Sequence, residues 1–578
     1  MPDNNCSPRS TAEDALAAGS KKEDSALAID ANDENIDVPP TDDDDEKTAV
    51  GSPAPETTED TTVYPSTLGV LTIFVGLCFT VLCITLDRAI VATAVPKITS
   101  EFNSLDDIGW YGSSYLMTMT CFQLFFGKLY AEYAIKWVFL AALLIFEVGS
   151  VVSGAAPSSL ALILGRAISG IGGAGLISGA LIMIARSVPL QSRPKYTGAM
   201  GGMSGIAQAI GPTIGGLFTD KVSWRWCFWI NLPLGGVTFL VVLLFVHLPS
   251  ADRPQKHSLR GFIDKVDLIG TVLLMPCLVC LLLALQWGGI DYEWSDWRVV
   301  LLLVFFSVLF VAWAASQYVQ KDKATVPLRI VKQRSMLAGM WFTFCLFTCF
   351  FVTVFYVPIW FQAVRGTSAY QSGINLLAVT AAASLTVLIS GIIVSRVGYY
   401  VPNMLGATLF ASIGTGIIYT FHRSTDTENW SAGLVVLGLG VGLGIQQPII
   451  AAQTVFEKAD LALATTVIVF IQGFSGTLFL SVAQNVFRGE IQSEIRSRVP
   501  SVNPDDVLDI GASDLISAMG AKYPQQLESI LTAYNYAIKS VFTISLVLAC
   551  MSVIGSAAME WRSVKKKKQA EAAKESKA

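Results

Sequence analysis

The sequence predicts an all-α polytopic membrane protein with about fourteen transmembrane helices, and three observations carry that prediction. Of 578 residues, 52% are hydrophobic and only 15% are charged, whereas soluble domains carry about a quarter charged. Apolar runs long enough to cross a hydrocarbon core, roughly 18 residues or more, recur near 68–92, 108–127, 137–154, 160–184, 198–218, 226–247, 266–286, 298–318, 338–361, 373–395, 402–421, 432–456, 463–486 and 540–560. Lys and Arg gather on alternate connections, as they do where those connections stay in the cytoplasm.

Residues 1–66 stand apart from the rest. They hold 4 Lys/Arg against 17 Asp/Glu and few aromatics. Such a segment buries too little apolar surface to offset its ordering entropy, so it reads as a disordered acidic cytoplasmic tail. It has no basic start followed by an apolar core, so it is not a signal peptide, and the first span is expected to direct insertion.

The connections assign the two faces. Lys128 and Lys136 follow the second span, and Arg186, Arg193 and Lys195 follow the fourth. Arg253, Lys256, Arg260 and Lys265 follow the sixth, and Lys321, Lys323, Arg329, Lys332 and Arg334 follow the eighth. The chain ends in "RSVKKKK" and a short polar stretch. The intervening connections are short or acidic, as with Asp291, Glu293 and Asp296. Connection 12–13 is the weak case. Both termini are therefore placed in the cytoplasm. On the opposite side, residues 487–539 read either as one or two short helices capping that face or as a plain linker. Asn429-Trp430-Ser431 matches the glycosylation acceptor pattern there, although its closeness to the next span argues against use.

The chemistry-bearing motifs of enzymes are missing. There is no GxxxxGK[ST] and no HExxH, and His247, His257 and His422 form no cluster. Cys277 and Cys280 form a lone CxxC inside an apolar run, where Cys acts as a small hydrophobe. No enzyme activity, metal, cofactor or nucleic-acid partner is expected. The expected partners are the bilayer, a small organic substrate and protons, with the chain acting as a monomer.

The span "GAMGGMSGIAQAIGPTIGGLF" places Gly211-Pro212 in mid-helix. Proline removes one helical hydrogen bond and bends the helix, and glycines at spacings of three and four let a neighbour approach closely. With Gly198, Gly211, Pro212, Gly215 and Gly216, this stretch resembles the fifth-helix antiporter motif of the major facilitator superfamily; Ala207 replaces a glycine often found there. "LDRAIVATAVPKI", "LILGRAISGIGGAG", "SWRWCFWINLPLG", "VFYVPIWFQAVRGTSAYQSGI" and "GLGVGLGIQQPIIAAQ" are similar to motifs of the fungal fourteen-helix drug:proton antiporters. The resemblance spans roughly residues 65–560. It implies a six-helix half over 67–250, inserted helices 7 and 8 over 251–335, a second half over 336–562 including the long outer loop, and a basic tail over 563–578. It further implies alternating access and proton-driven efflux of a fungal secondary metabolite, toxin or drug across the plasma membrane. A vacuolar or vesicle membrane is the alternative location. Uptake, for example of siderophores, and a non-transporting sensor are the alternative functions.

Charges inside the spans are the candidate working parts, since one at mid-bilayer costs about 2.5–3.5 kcal/mol. Asp87, Glu147 and Arg166 are the expected proton-coupling residues, with Asp87 a cavity-facing carboxylate and Arg166 its modulator; packing contacts are the alternative for each. Arg88 has two readings. Adjacent helical residues point about 100° apart, so it either pairs with another helix or faces the cavity and favours anionic or carbonyl-rich substrates. Gln123, Gln208, Tyr356, Gln446, Gln447 and Gln472 are further expected cavity residues. In "GKLYAEYAIKW", Gly127 and Lys136 fit the family's gate loop, but Ala131 stands where that loop has Asp, so Glu132 is the expected substitute.

Overall fold

A computed structural model describes residues 65–565, except 103, 105–106, 247–266, 290–291, 458 and 509. The acidic tail, the charges of connection 6–7 and the end of the basic tail lie outside the described residues. The described chain forms fourteen long helices, and among the described residues no strand is built. They are α1 (Thr67–Phe102), α2 (Ile108–Glu132), α3 (Ile135–Gly154), α4 (Ser159–Ser187), α5 (Arg193–Lys221), α6 (Trp226–Phe245), α7 (Leu268–Trp287), α8 (Trp297–Gln320), α9 (Arg334–Ala363), α10 (Ala369–Val397), α11 (Val401–Tyr419), α12 (Thr427–Val455), α13 (Leu461–Arg498) and α14 (Leu527–Ala558).

Twelve of these are apolar enough to span a membrane by composition alone; α2 and α5 are not. The reason is where their polar faces point. Ser113, Thr118, Thr120 and Gln123 on α2, and Ser204, Gln208 and all the glycines of α5 but Gly216, face other helices or the central cavity rather than lipid.

The bundle repeats one packing scheme twice. Helix α1 packs on α5 and α6 as α9 packs on α13 and α14, and α4 packs on α2 and α3 as α12 packs on α10 and α11. The two sets meet where α5 crosses α10 and α2 crosses α13. Small residues set these distances: a Cβ on Gly172 of α4 would lie 2.4 Å from the Phe146 backbone nitrogen of α3. Two helices break at prolines. Pro233 interrupts α6 at Ile230, and Pro448 interrupts α12 at Ile445–Gln446, because proline lacks a donor and clashes one turn back.

Helices α7 and α8 form a hairpin on the outside of the bundle, with α8 almost wholly exposed to lipid. Asp267, at the N-cap of α7, pins the hairpin. Its backbone is left-handed (φ 47°), a conformation Asp tolerates better than most residues. Its buried carboxylate accepts from Gly270 N (2.8 Å), Gln317 Nε2 (3.0 Å), Gln320 Nε2 (2.6 Å), Thr325 N (2.6 Å) and Thr325 Oγ1 (2.7 Å). Asp267→Ala strands these donors, and an unpaired buried donor costs about 1–3 kcal/mol. The variant is expected to melt several degrees lower in detergent while ligand binding in the bundle stays intact.

The segment opposite the termini is a helical cap rather than a linker. α13 continues to Arg498, short helices follow at Pro504–Leu508 and Leu515–Lys522, and α14 begins at Leu527, earlier than its apolar run. Val507, Leu515 and Met519 are buried against α9, α13 and α14. Asp506 accepts from Lys522 Nζ (2.7 Å) and Tyr523 OH (3.1 Å). Asn429 sits exposed in the first turn of α12.

At the same face, Glu101 near the end of α1 accepts from Trp224 Nε1 (2.7 Å) and Arg225 Nη1 (2.9 Å). The Trp224 hydrogen bond, aided by Arg225, holds this carboxyl below its ordinary value of 4.5. A lowered folded-state value stabilises above the unfolded one and is lost as pH falls through the folded one. Glu101→Gln is therefore expected to lower the melting temperature modestly at neutral pH. The two proteins should converge as pH drops below 4.5.

Candidate functional site

The deepest charges form one cluster between α1, α4 and α6. Asp87 has no exposure and Arg166 only 2%. Arg166 Nη1 lies 2.5 Å from Asp87 Oδ2. The break in α6 turns Asn231 inward, and its Nδ2 donates to Asp87 Oδ1 (2.9 Å) and Ser150 Oγ (3.1 Å). Arg166 Nε donates to the Tyr111 carbonyl (3.0 Å), and its guanidinium lies 4.5 Å from the Tyr115 ring centre and 5.8 Å from that of Phe228. Each Asp87 oxygen thus has a donor, and Arg166 is held by the carboxylate, a carbonyl and two ring faces, the kind of compensation a buried ion pair needs to persist. Asp87 does not line the central cavity, contrary to the expectation from sequence: Arg166 draws it to the other side of α1.

Glu147 lies one turn before Ser150 on α3, against Gly235 of α6. Both its oxygens are buried and have no hydrogen-bond partner among the described residues. A Cβ at Gly235 would come within 1.7 Å of Glu147 Oε1, so a side chain there would displace the carboxylate from this position.

The antiporter-motif glycines seat α5 on α1 immediately beyond Asp87 and Arg88. A Cβ at Gly211 would meet Ala89 Cβ at 2.5 Å, and one at Gly215 would meet the Ile90 carbonyl at 2.7 Å. Pro212 lies within the same continuous helix. Gly216 faces open space, and Gly198 instead contacts α10.

A central cavity of about 210 Å³ lies between the two halves. Arg88, Gln123, Gln208, Gln446 and Gln472 line it, with Phe347, Phe350, Phe351 and Phe470. Arg88 points into it, on a different face of α1 from Asp87; its guanidinium lies 5.8 Å from the Phe351 ring centre and forms no ion pair with a described carboxylate. Gln123 is engaged with the Ala174 carbonyl (3.1 Å) and Ser178 Oγ. Gln472 Nε2 donates to the Ile445 carbonyl freed by the α12 break (3.2 Å). Two expected lining residues are elsewhere. Gln447 turns away at that break and donates to Ser390 Oγ (2.6 Å) on α10. Tyr356 lines a second cavity of about 440 Å³ toward the face opposite the termini, and the two cavities share Leu116, Phe351 and Thr477.

On the termini side the cavity is closed. Gly198 and Gly391 bring α5 and α10 into backbone contact, and Gly127 packs against Thr466 of α13. Arg193 Nη1 donates to the Gln453 carbonyl (3.2 Å), and Ser395 Oγ to the Gln191 carbonyl (2.7 Å). Glu132 takes no part in this closure: its ion-pair partner is Lys128, one turn back on the same helix (3.9 Å). Lys136 Nζ donates to the Leu243 carbonyl at the end of α6 (2.7 Å).

Sequence reasoning missed Asn231, Ser150 and Tyr115. Asn231 had a signal, a lone amide beside a proline in an apolar span; Ser150 and Tyr115 had none, being common in packed membrane helices.

Comparison with known proteins places this geometry in context. The pattern of the Major Facilitator Superfamily matches residues 77–480. The chain is 48% identical over 496 residues to the MFS-type efflux pump MFS1 of Arthroderma benhamiae, covering 86% of this chain and 92% of that protein. It is 45% identical over 501 residues to the efflux pump roqT of Penicillium rubens (87% and 92% covered). It is 43% identical over 494 residues to the efflux pump aflT of Aspergillus parasiticus (85% and 96% covered). Among solved structures, the proton:xylose symporter XylE is similar with a TM-score of 0.50 and 13% identity, covering 87% of this chain and 99% of that one. That likeness is one of fold alone.

Proposed function

Because the chain belongs to the major facilitator superfamily, a family of membrane transporters rather than enzymes, we propose that it is a proton-coupled antiporter that exports a small organic compound. The compound is a fungal secondary metabolite or a drug, by extension from the relatives named efflux pumps. The termini face is cytoplasmic on this reading, since its connections carry the Lys and Arg excess. The membrane is the plasma membrane. The chain works as a monomer, the proton gradient drives it, and no cofactor is needed.

The Asp87–Arg166 pair is the observation that carries the reading. A carboxylate deep in the bundle, near the central cavity and held by an arginine, has two states that a proton can exchange. Protonating Asp87 releases Arg166 from its ion pair, and the cluster must then rearrange or lose the stabilisation of a matched buried pair. Asn231 and Ser150 link this event to α6 and α3, and the Gly211 and Gly215 contacts link it to α5. Helices α1 and α5 also line the cavity. Proton binding and the rocking of the halves are coupled through this shared α1–α5 unit, and Glu147 is a second acceptor one turn from Ser150.

Purified protein in proteoliposomes under an imposed pH gradient, with a panel of aromatic natural products, tests the reading. Antiport moves compound against the proton flow and stops when the gradient collapses. Compound moving with the protons would establish uptake instead, and no movement at all would leave only the sensor reading.

A further inference from the structure

Among the described residues, one formal charge lines the central cavity, that of Arg88, and no Asp or Glu does. The neighbouring acid forms no ion pair with it: Asp87 points away from the cavity and is paired with Arg166. Arg88 accordingly presents a guanidinium whose described partner is only the face of Phe351, 5.8 Å away. An unmatched charge at this depth is costly, and its retention inside a binding cavity is explained if the ligand supplies the opposite charge.

Two further features narrow the ligand. Gln446 Oε1 is buried in the cavity wall with no hydrogen-bond partner among the described residues. It is an acceptor only, so it calls for a hydroxyl or N–H. The remaining wall is largely apolar, and Phe347 and Phe351 stack on each other with ring centres 5.3 Å apart. A flat apolar body fits beside them.

We propose that this cavity binds an amphiphilic organic anion, a carboxylate or acidic phenol on a flat apolar skeleton, with its charge on Arg88 and a donor group on Gln446. The inference rests on the export reading above for its physiological meaning, but the binding it specifies needs neither a gradient nor a direction. A guanidinium also offers paired N–H donors that match the two oxygens of such a group. Neutral analogues would leave the guanidinium uncompensated, and cations would be repelled.

The test is equilibrium binding to the full-length protein in zwitterionic nanodiscs, with empty nanodiscs subtracted. The probes are 1-anilinonaphthalene-8-sulfonate and its uncharged parent N-phenyl-1-naphthylamine, which share a skeleton and differ by the sulfonate. Wild type should bind the sulfonate the more tightly. Arg88→Gln should weaken sulfonate binding by about tenfold to a hundredfold, the size of one lost charge-assisted contact, while parent binding stays unchanged. Unchanged parent binding also shows that the variant has folded. Arg88→Lys should keep most of the preference. The proposal is overturned if Arg88→Gln leaves sulfonate affinity unaltered, if it weakens both probes equally, or if wild type prefers the parent or binds no sulfonate. Failure of proton-driven transport in proteoliposomes would instead count against the export reading and leave these affinities as they are.

Discussion

Asp87→Asn is expected to bring proton-driven transport down to the level of empty liposomes while leaving substrate exchange without a gradient measurable. The physical argument starts from Arg166. Replacing the carboxylate by a neutral amide leaves a guanidinium with 2% exposure and no counter-ion, held by neutral acceptors and the Tyr115 and Phe228 rings. Breaking a buried pair in this way costs about 3–5 kcal/mol, so the melting temperature should fall as well. The double variant Asp87→Asn/Arg166→Gln separates the two effects. It removes the stranded charge, so stability should recover in large part, with a coupling of up to about 3 kcal/mol in the double-mutant cycle. Proton-driven transport should not recover, because no exchangeable carboxylate remains at that position. Transport restored along with stability would show that Asp87 serves only packing. Retained proton-driven transport in Asp87→Asn itself would move the coupling role to Glu147.

Several of these residues were legible before any coordinates, and the reasons differ. Asp87 and Arg166 stood out because a membrane makes charge expensive, so a sequence keeps it inside a span only with compensation. Arg166 was expected to modulate Asp87, but the direction in which the pair faces was not legible: α1 and α4 are apolar on most sides, and periodicity assigns no buried face to such helices. For the same reason the two readings of Arg88 could be separated only by the packing of α1, which turns Asp87 toward α4 and α6 and leaves Arg88 on the cavity. Gln446 and Gln447 illustrate the limit at one-residue scale. They are adjacent and chemically identical, and the break before Pro448 sends one to the cavity and the other to Ser390. The cap stayed undecided between short helices and a linker for a different reason. Hydropathy marks where lipid ends, and α13 and α14 continue past that boundary with polar residues.

The closed termini face leads to the second large effect. Gly391→Ala should shift the transporter toward states open on that face. An ideal Cβ at Gly391 would stand 2.3 Å from the Pro194 carbonyl oxygen and 3.4 Å from Gly198 Cα. The obstacle is backbone on a packed helix, so α5 and α10 must separate there rather than a side chain rotate away. Overpacking of this kind costs about 1–3 kcal/mol, and every 1.4 kcal/mol is roughly tenfold in a population. On the alternating-access reading proposed above, the α5–α10 contact opens with that end, so the cost falls on the closed form. Labelling of Gln446→Cys by an impermeant maleimide added at the termini face should rise in the Gly391→Ala background, corrected for the same background without the added cysteine. Transport should fall because the cycle must pass through the penalised form. Gly373→Ala, on the same helix with nothing within 4 Å of its Cβ, should alter neither reading. If Gly391→Ala labels like wild type, the α5–α10 crossing is ordinary packing, and closure must rest on the α2–α13 contact at Gly127 and Thr466 instead.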